Sequence, residues 1–386
     1  MLAIKNGKIY TMAGTIIETG TILVENQKIK AIGTDVEIPE GAQVIDAQGK
    51  VIMPGIIDAH SHIGIFEEGL GFEGADGNEM TNPSTPHLRA LDAINPMDVA
   101  FKEAYQGGIT TVVSGPGSAN VIGGLGLAMK TYGKVIDEMV MIDPTGLKCA
   151  FGENPKRVYS SQKKSPSTRM GTAAVMREEL IKAQNYLKKL EKAESDPDKA
   201  PDRDLKMEAI VKVLKKEIPL RAHAHRADDI VTALRIAEEF DVDITIEHCT
   251  EGHLIADFLA KRGVDVVIGP TLSSKPKVEL QNLTFETGRI LYEAGVKFAI
   301  MTDHPVIPQQ YLPLCAALAH KDGLPEEEAL KAITINAAEI IGVGDRVGSL
   351  EVGKDADIII LSGHLFDYKT VVEKTIINGE IIYDRK

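Results

Sequence analysis

The chain has 386 residues, 44% of them hydrophobic and 26% charged, which is the balance of a soluble globular protein long enough for one large barrel-type domain plus a smaller one. A net charge of −13 repels phosphate backbones and anionic bilayers, so nucleic acid and membrane surfaces are excluded as expected partners. Three scattered cysteines (Cys149, Cys249, Cys315) allow neither a disulfide framework nor a Cys-x-x-Cys zinc clip. With no signal-like start and no apolar run near the ~20 residues of a membrane span, the expected compartment is the cytoplasm.

The first fifty residues alternate apolar and polar side chains between turn residues, as in "MLAIKNGKIYT", "TGTILVENQKIKAIG" and "AQVIDAQGKVIMPG". The last forty look alike, in "GSLEVGKDADIIILSG" and "VVEKTIINGEIIYDRK". Each end is too short to bury a core alone. Residues 1–53 and 343–386 are therefore expected to form one small β domain, with residues 54–342 inserted between them.

That middle segment alternates short β-branched runs with amphipathic helices. The runs are "IIDAHSH", "ITTVVSG", "GLKCAFG", "IPLRAHAH", "VDITIEHC", "VDVVIG" and "VKFAIMTD", with one further strand blurred between 121 and 142. Such alternation predicts a parallel sheet with helices outside, and about eight units over this length suggest a (β/α)₈ barrel. Residues 154–206 hold a Ser/Lys loop, "NPKRVYSSQKKSPSTRMG", and then a charged helix whose polar face is solvated. The loop leaves the carboxyl end of a barrel strand, where active-site lids lie. Within it Tyr159 and Arg169 are candidate substrate residues, an arginine being suited to hold a carboxylate bidentately; the alternative is that both are solvated loop residues.

In a parallel barrel the strand ends point at one face. The first run ends at His60 and His62, and a spacing of two on a strand puts both side chains on one side. The fifth ends at His223 and His225, the sixth at His248, the eighth at Asp303. Four runs ending this way are hard to assign to packing. Neutral imidazole and carboxylate suit a divalent transition metal, zinc first, with iron, manganese or nickel as alternatives. A catalytic metal acidifies its water, and an aspartate beside that water can carry the proton to a leaving group, the role expected of Asp303.

These residues carry a resemblance. His-x-His on strand one, His on strands five and six and Asp on strand eight resemble the amidohydrolase superfamily. "PGIIDAHSHIG" is similar to its opening motif, and "NAAEIIGVGDRVGSLEVGKDADIIIL" resembles its closing helix and return to the small β domain. The resemblance implies a distorted (β/α)₈ barrel with a small composite β-sandwich. It also implies metal-dependent hydrolysis at carbon, with His60, His62, His223, His248 and Asp303 at the metal site. His225 would then bind substrate, or simply bond a carbonyl.

In many relatives a carboxylated lysine or a glutamate on strand four bridges two ions. "GLKCAFGENPKR" offers Glu153, just past Gly152, and Lys148, which reads as mid-strand and deeper. Glu153 is the expected ligand; if neither binds, the site holds one ion. A deaminase would carry a glutamate near the strand-five histidine, and "HAHRADD" has none. A catalytically silent scaffold would have lost ligands. The expected activity is therefore hydrolysis of a C–N bond in a small amide (a cyclic amide, dipeptide or N-acyl amino acid) by metal-bound hydroxide. Within the superfamily, "AHAHRADD" and "IEHCTEGH" look closest to the imidazolonepropionases and prolidase-like dipeptidases. The expected partner is a small-molecule substrate, and the expected assembly a homo-oligomer.

Overall fold

The protein is described by a computed structural model covering residues 1–69, 71–196, 198 and 200–385. Both termini enter one eight-stranded sheet. Its amino-terminal strands are β1 (Leu2–Tyr10), β2 (Ile16–Glu25), β3 (Lys28–Gly33), β4 (Gln43–Asp46) and β5 (Val51–Pro54). β1 pairs antiparallel with β2 and parallel with both β4 and β5, at opposite ends of its length.

A second eight-stranded sheet forms a nearly closed barrel. Its strands, in spatial and chain order, are β6 (Ile56–Ser61), β7 (Ile109–Ser114), β8 (Ile122–Lys130), β9 (Val140–Ala150), β10 (Leu220–Ala224), β11 (Ile244–His248), β12 (Val266–Ile268) and β13 (Phe298–Ile300). Between β6 and β13 the edge is spanned by His62, whose backbone N–H donates to the His304 carbonyl at 2.9 Å. After the barrel the chain returns to the first sheet through β14 (Ile358–Leu361), β15 (Val372–Ile377) and β16 (Glu380–Asp384). β14 lies antiparallel against β5, so residues 51–54 and 358–361 join the two ends of the chain.

The barrel departs from the expected parallel order at one place. The blurred third strand, β8, runs antiparallel to both neighbours. It is buried along its whole length and apolar up to Lys130, so it shows no alternation to mark it as a strand. Its glycines have a packing reason. Gly124 has φ +139°, and a Cβ there would meet the Leu88 carbonyl oxygen at 2.6 Å. The segment before it lies close against the strand through bridges Ser84–Ile122 and Arg89–Leu125.

The helices cover the barrel as their periodicity demands. In Ala227–Phe240, Ile230, Ala233, Leu234 and Ala237 fall on one face and are buried, while Asp228 and Asp229 sit in the first turn where the helix dipole favours acids. Asp241 ends the helix in the left-handed conformation. The stretch expected to be a Ser/Lys lid is largely helical: helix Glu153–Ser161 follows β9, and the long helix begins at Arg169, capped by the Thr168 hydroxyl. No helix among the described residues is long and apolar enough to cross a membrane.

Candidate metal centre

At the carboxyl ends of the strands two groups of ligand-type atoms converge, each within 4.8 Å of one another: His60, His62 and Asp303, and His223, His225 and His248. The groups adjoin, with the rings of His60 and His248 5.3 Å apart and those of His223 and His248 4.1 Å apart. Backbone strain helps to aim them. His248 (φ 72°), Cys249 (φ 47°) and Asp303 (φ 54°) all occupy the left-handed region, which costs a non-glycine residue about 1–3 kcal/mol and is kept where surrounding structure demands it. In a regular strand Glu247 and His248 would face opposite sides; with the kink both reach His60.

Hydrogen bonds fix the ring protons. His62 Nδ1 lies 2.7 Å from the Gly115 carbonyl, His248 Nδ1 3.0 Å from the Gly269 carbonyl and His60 Nδ1 2.6 Å from the Glu247 carboxylate. Each of these partners only accepts, so in the neutral ring Nδ1 carries the proton and Nε2 presents a lone pair. The Nε2 atoms of His60 and His62 then face Asp303 Oδ1 at 3.2 and 3.3 Å. That oxygen is buried and has no hydrogen-bond partner of acceptable geometry among the described residues. Three lone-pair atoms directed at one another repel unless a cation lies between them. This donor set, imidazole nitrogen and carboxylate oxygen without sulfur, fits a divalent transition metal.

The electrostatics agree. Burial pushes the imidazoles of His62, His223 and His248 below the ordinary histidine range, and takes His225 down to about 3. Neutral imidazole is the form that binds metal. His60 moves the other way: burial opposes its charge, but the carboxylates of Glu247 and Asp303 outweigh it. A protonated His60 and a metal ion are alternative answers to the same negative field. Burial would raise Asp303, yet the imidazoles of His248, His60 and His62 hold it well below the usual carboxylate range.

Glu247 was missed in the sequence. It is buried with Arg221 Nε on Oε1 at 2.5 Å and with both Lys148 Nζ (3.3 Å) and His60 Nδ1 on Oε2. Arg221 Nη2 also donates to the Ala59 carbonyl at 2.7 Å. The signal was present: "PLRAHAH" and "TIEHC" each place a charge within an otherwise apolar strand run, and a buried charge requires a partner. Asp58 was missed likewise. Its Oδ2 accepts from Thr302 N (3.1 Å), Thr302 Oγ1 (2.6 Å) and Gln309 Nε2 (2.7 Å), tying β6 to the segment that carries Asp303.

The remaining expected site residues divide. His225 joins the second group, its Nδ1 2.8 Å from Thr250 Oγ1. Glu153 belongs to neither group: it opens helix Glu153–Ser161, and its backbone N–H donates to Glu279 Oε2 at 3.0 Å. Lys148 reaches the centre instead, its Nζ 3.3 Å from His60 Nε2. Tyr159 is fully buried and donates to Asn120 Oδ1, and Arg169 pairs through Nε with both oxygens of Asp229 at 2.9 and 3.0 Å. Neither lines the cavity that opens above the two groups. That cavity measures 420 Å³ and is walled by His62, His223, His225, His248 and Asp303 on one side and by the loop 270–280 on the other.

Comparison with known proteins places these features. Residues 51–382 match the Amidohydrolase family. The chain is 28% identical over 390 residues to Amidohydrolase tasK of Hapsidospora irregularis, covering 92% of this chain and 38% of that longer protein. An imidazolonepropionase of Geobacillus sp. strain WCH70 is 26% identical over 371 residues, 89% of this chain and 84% of the relative. Among solved structures, an amidohydrolase from Thermotoga maritima MSB8 superposes with a TM-score of 0.97 at 48% identity, over the full length of both chains. A prolidase complexed with N-methylphosphonate-L-proline shares the fold at a TM-score of 0.65 and 19% identity, again over the full length of both.

Proposed function

Because the chain belongs to the amidohydrolase family, we propose that it hydrolyses the C–N bond of a small amide: a cyclic amide, a dipeptide or an N-acyl amino acid. The observation that carries this reading is the convergence of His60 Nε2 and His62 Nε2 on the buried Asp303 Oδ1 at 3.2 and 3.3 Å. His60, His62 and Asp303 would hold one divalent metal, zinc first, and His223 and His248 a second. Bound there, the metal supplies Lewis-acid polarisation of the scissile carbonyl and lowers the pKa of water.

The chain's own residues do the rest. Gly115 and Gly269, through their carbonyls, and Glu247, through its carboxylate, hold the imidazoles in the tautomer that leaves Nε2 free. Asp303, as the carboxylate at the cavity floor, takes the proton of the attacking water and delivers it to the departing nitrogen. Lys148, rather than Glu153, is the strand-four residue whose side chain reaches His60; carboxylated on Nζ by addition of carbon dioxide with loss of a proton, it would offer carboxylate oxygens to both ions, and we assign it that place. The test is a hydrolysis screen of N-acyl amino acids, dipeptides and cyclic amides with metal-loaded protein. Release of free amine supports the reading; metal-loaded protein that cleaves none of the three classes opposes it.

A further inference from the structure

The cavity has a cationic corner that the catalytic reading does not use. Besides the histidines, Lys277 is the cationic side chain among its described lining residues. Lys277 Nζ donates to Asn154 Oδ1 at 2.8 Å, and Asn154 Nδ2 in turn lies 2.8 Å from Ser118 Oγ and 3.4 Å from His223 Nε2. One carboxamide therefore separates the ammonium group from the second imidazole group. Asn154 is buried, so the lysine is anchored rather than free to follow solvent.

Only one of the three ammonium donors is taken by Asn154. Lys277 Nζ also forms an ion pair with the buried Glu279 Oε1 at 3.6 Å, longer than a hydrogen bond, while Glu279 Oε2 accepts from the Glu153 backbone N–H at 3.0 Å. The same cavity has apolar lining from Phe66, Leu280, Pro305 and Val306. The arginine that the sequence offered for a carboxylate, Arg169, is committed to Asp229 and does not line the cavity.

We infer that Lys277, held by Asn154, is the specificity-determining residue of an anion subsite, and that the substrate is an amide whose amine half bears a carboxylate a short distance from the scissile nitrogen, with an apolar side chain against Phe66 and Leu280. This rests on the amide-hydrolysis reading for what is cleaved, but its test does not. N-methanesulfonyl-L-leucine and N-methanesulfonyl-L-leucinol differ only in carboxylate against alcohol, and neither contains an acyl bond to hydrolyse. Calorimetric titration of the metal-loaded protein should show the acid binding about 10- to 100-fold tighter than the alcohol, the range of a hydrogen bond to a charged group. Lys277→Met should remove that preference and Lys277→Arg should keep most of it. Equal affinity of acid and alcohol, including no binding of either, overturns the subsite, as does a preference that survives in Lys277→Met. Failure of the hydrolysis screen with the preference intact would instead count against the hydrolytic reading alone.

Discussion

Glu247 Oε2 lies 2.6 Å from His60 Nδ1, so a carboxylate buried below the centre sets the proton of a ring that faces it. The same carboxylate receives Arg221 and Lys148, so three positively polarised groups share one acceptor side chain. Partners of this kind are worth about 10- to 100-fold in metal affinity. Glu247→Gln should lower affinity by that order in chelator competition, and should also lower stability by about 3 kcal/mol by leaving Arg221 buried without its counter-charge. Unchanged metal affinity in a folded Glu247→Gln protein would show that Glu247 serves packing alone.

Asp303 is assigned the proton transfer, a function that typically contributes about 10²- to 10⁴-fold. Asp303→Asn should lower kcat by at least that order on whichever amide the wild type cleaves. The backbone at Asp303 is already left-handed, a conformation asparagine tolerates, so melting temperature should hold. A variant with near-normal turnover removes the proton shuttle from the account.

Asp58 allows a pH prediction with a definite sign. Burial, opposed mainly by the Thr302 hydroxyl, raises its carboxyl to about 7 from the ordinary 3.8. The folded state therefore holds a proton that the unfolded chain releases between pH 4 and 7. The stability this group contributes is full below pH 4 and is lost as pH rises through 7, amounting to about 2–4 kcal/mol. Denaturation of metal-free wild type and Asp58→Asn should show the wild type losing ground to the variant by that amount from pH 4 to 8. A difference that stays flat across this range contradicts it.

Lys148 predicts metal stoichiometry. Its Nζ lies 3.3 Å from both His60 Nε2 and Glu247 Oε2. With Nζ carboxylated in the metal-loaded protein, as the bridging place requires, Lys148→Ala should reduce bound metal from two ions per chain to one at saturating zinc, whereas Glu153→Ala should leave two. The opposite pattern would restore Glu153 to the centre.

The candidate metal-site residues stood out in the sequence because a polar residue ending an apolar strand has few structural reasons to be there. His60, His62, His223, His248 and Asp303 all stand at such ends, and all lie together. On strand four the sequence favours Glu153 over Lys148 because Lys148 reads as mid-strand. β9 ends at Ala150, so Lys148 sits near its mouth, much as His60 does on β6, while Glu153 has already entered a helix. The lid was read from the segment's place after a barrel strand, yet Glu153–Ser161 buries Asn154, Pro155 and Tyr159 and is held as helix by tertiary packing. The direction of β8 was missed because the strand itself was blurred: residues 115–121 are too few for the crossover that a parallel partner of β7 would need, and that short connection was the available signal. Lys277 was invisible because only the folded loop brings it to Asn154, 123 residues away.

The central claim is that His60, His62 and Asp303 meet around a metal ion that hydrolysis requires. The direct measurement is metal content by mass spectrometry, with amide hydrolysis assayed on the same samples, for wild type and His60→Ala/His62→Ala. The wild type should hold bound transition metal and turn over, and the folded double variant should lose turnover together with at least one ion per chain. Equal metal content in the two proteins, or hydrolysis that persists after the ion is gone, would contradict it.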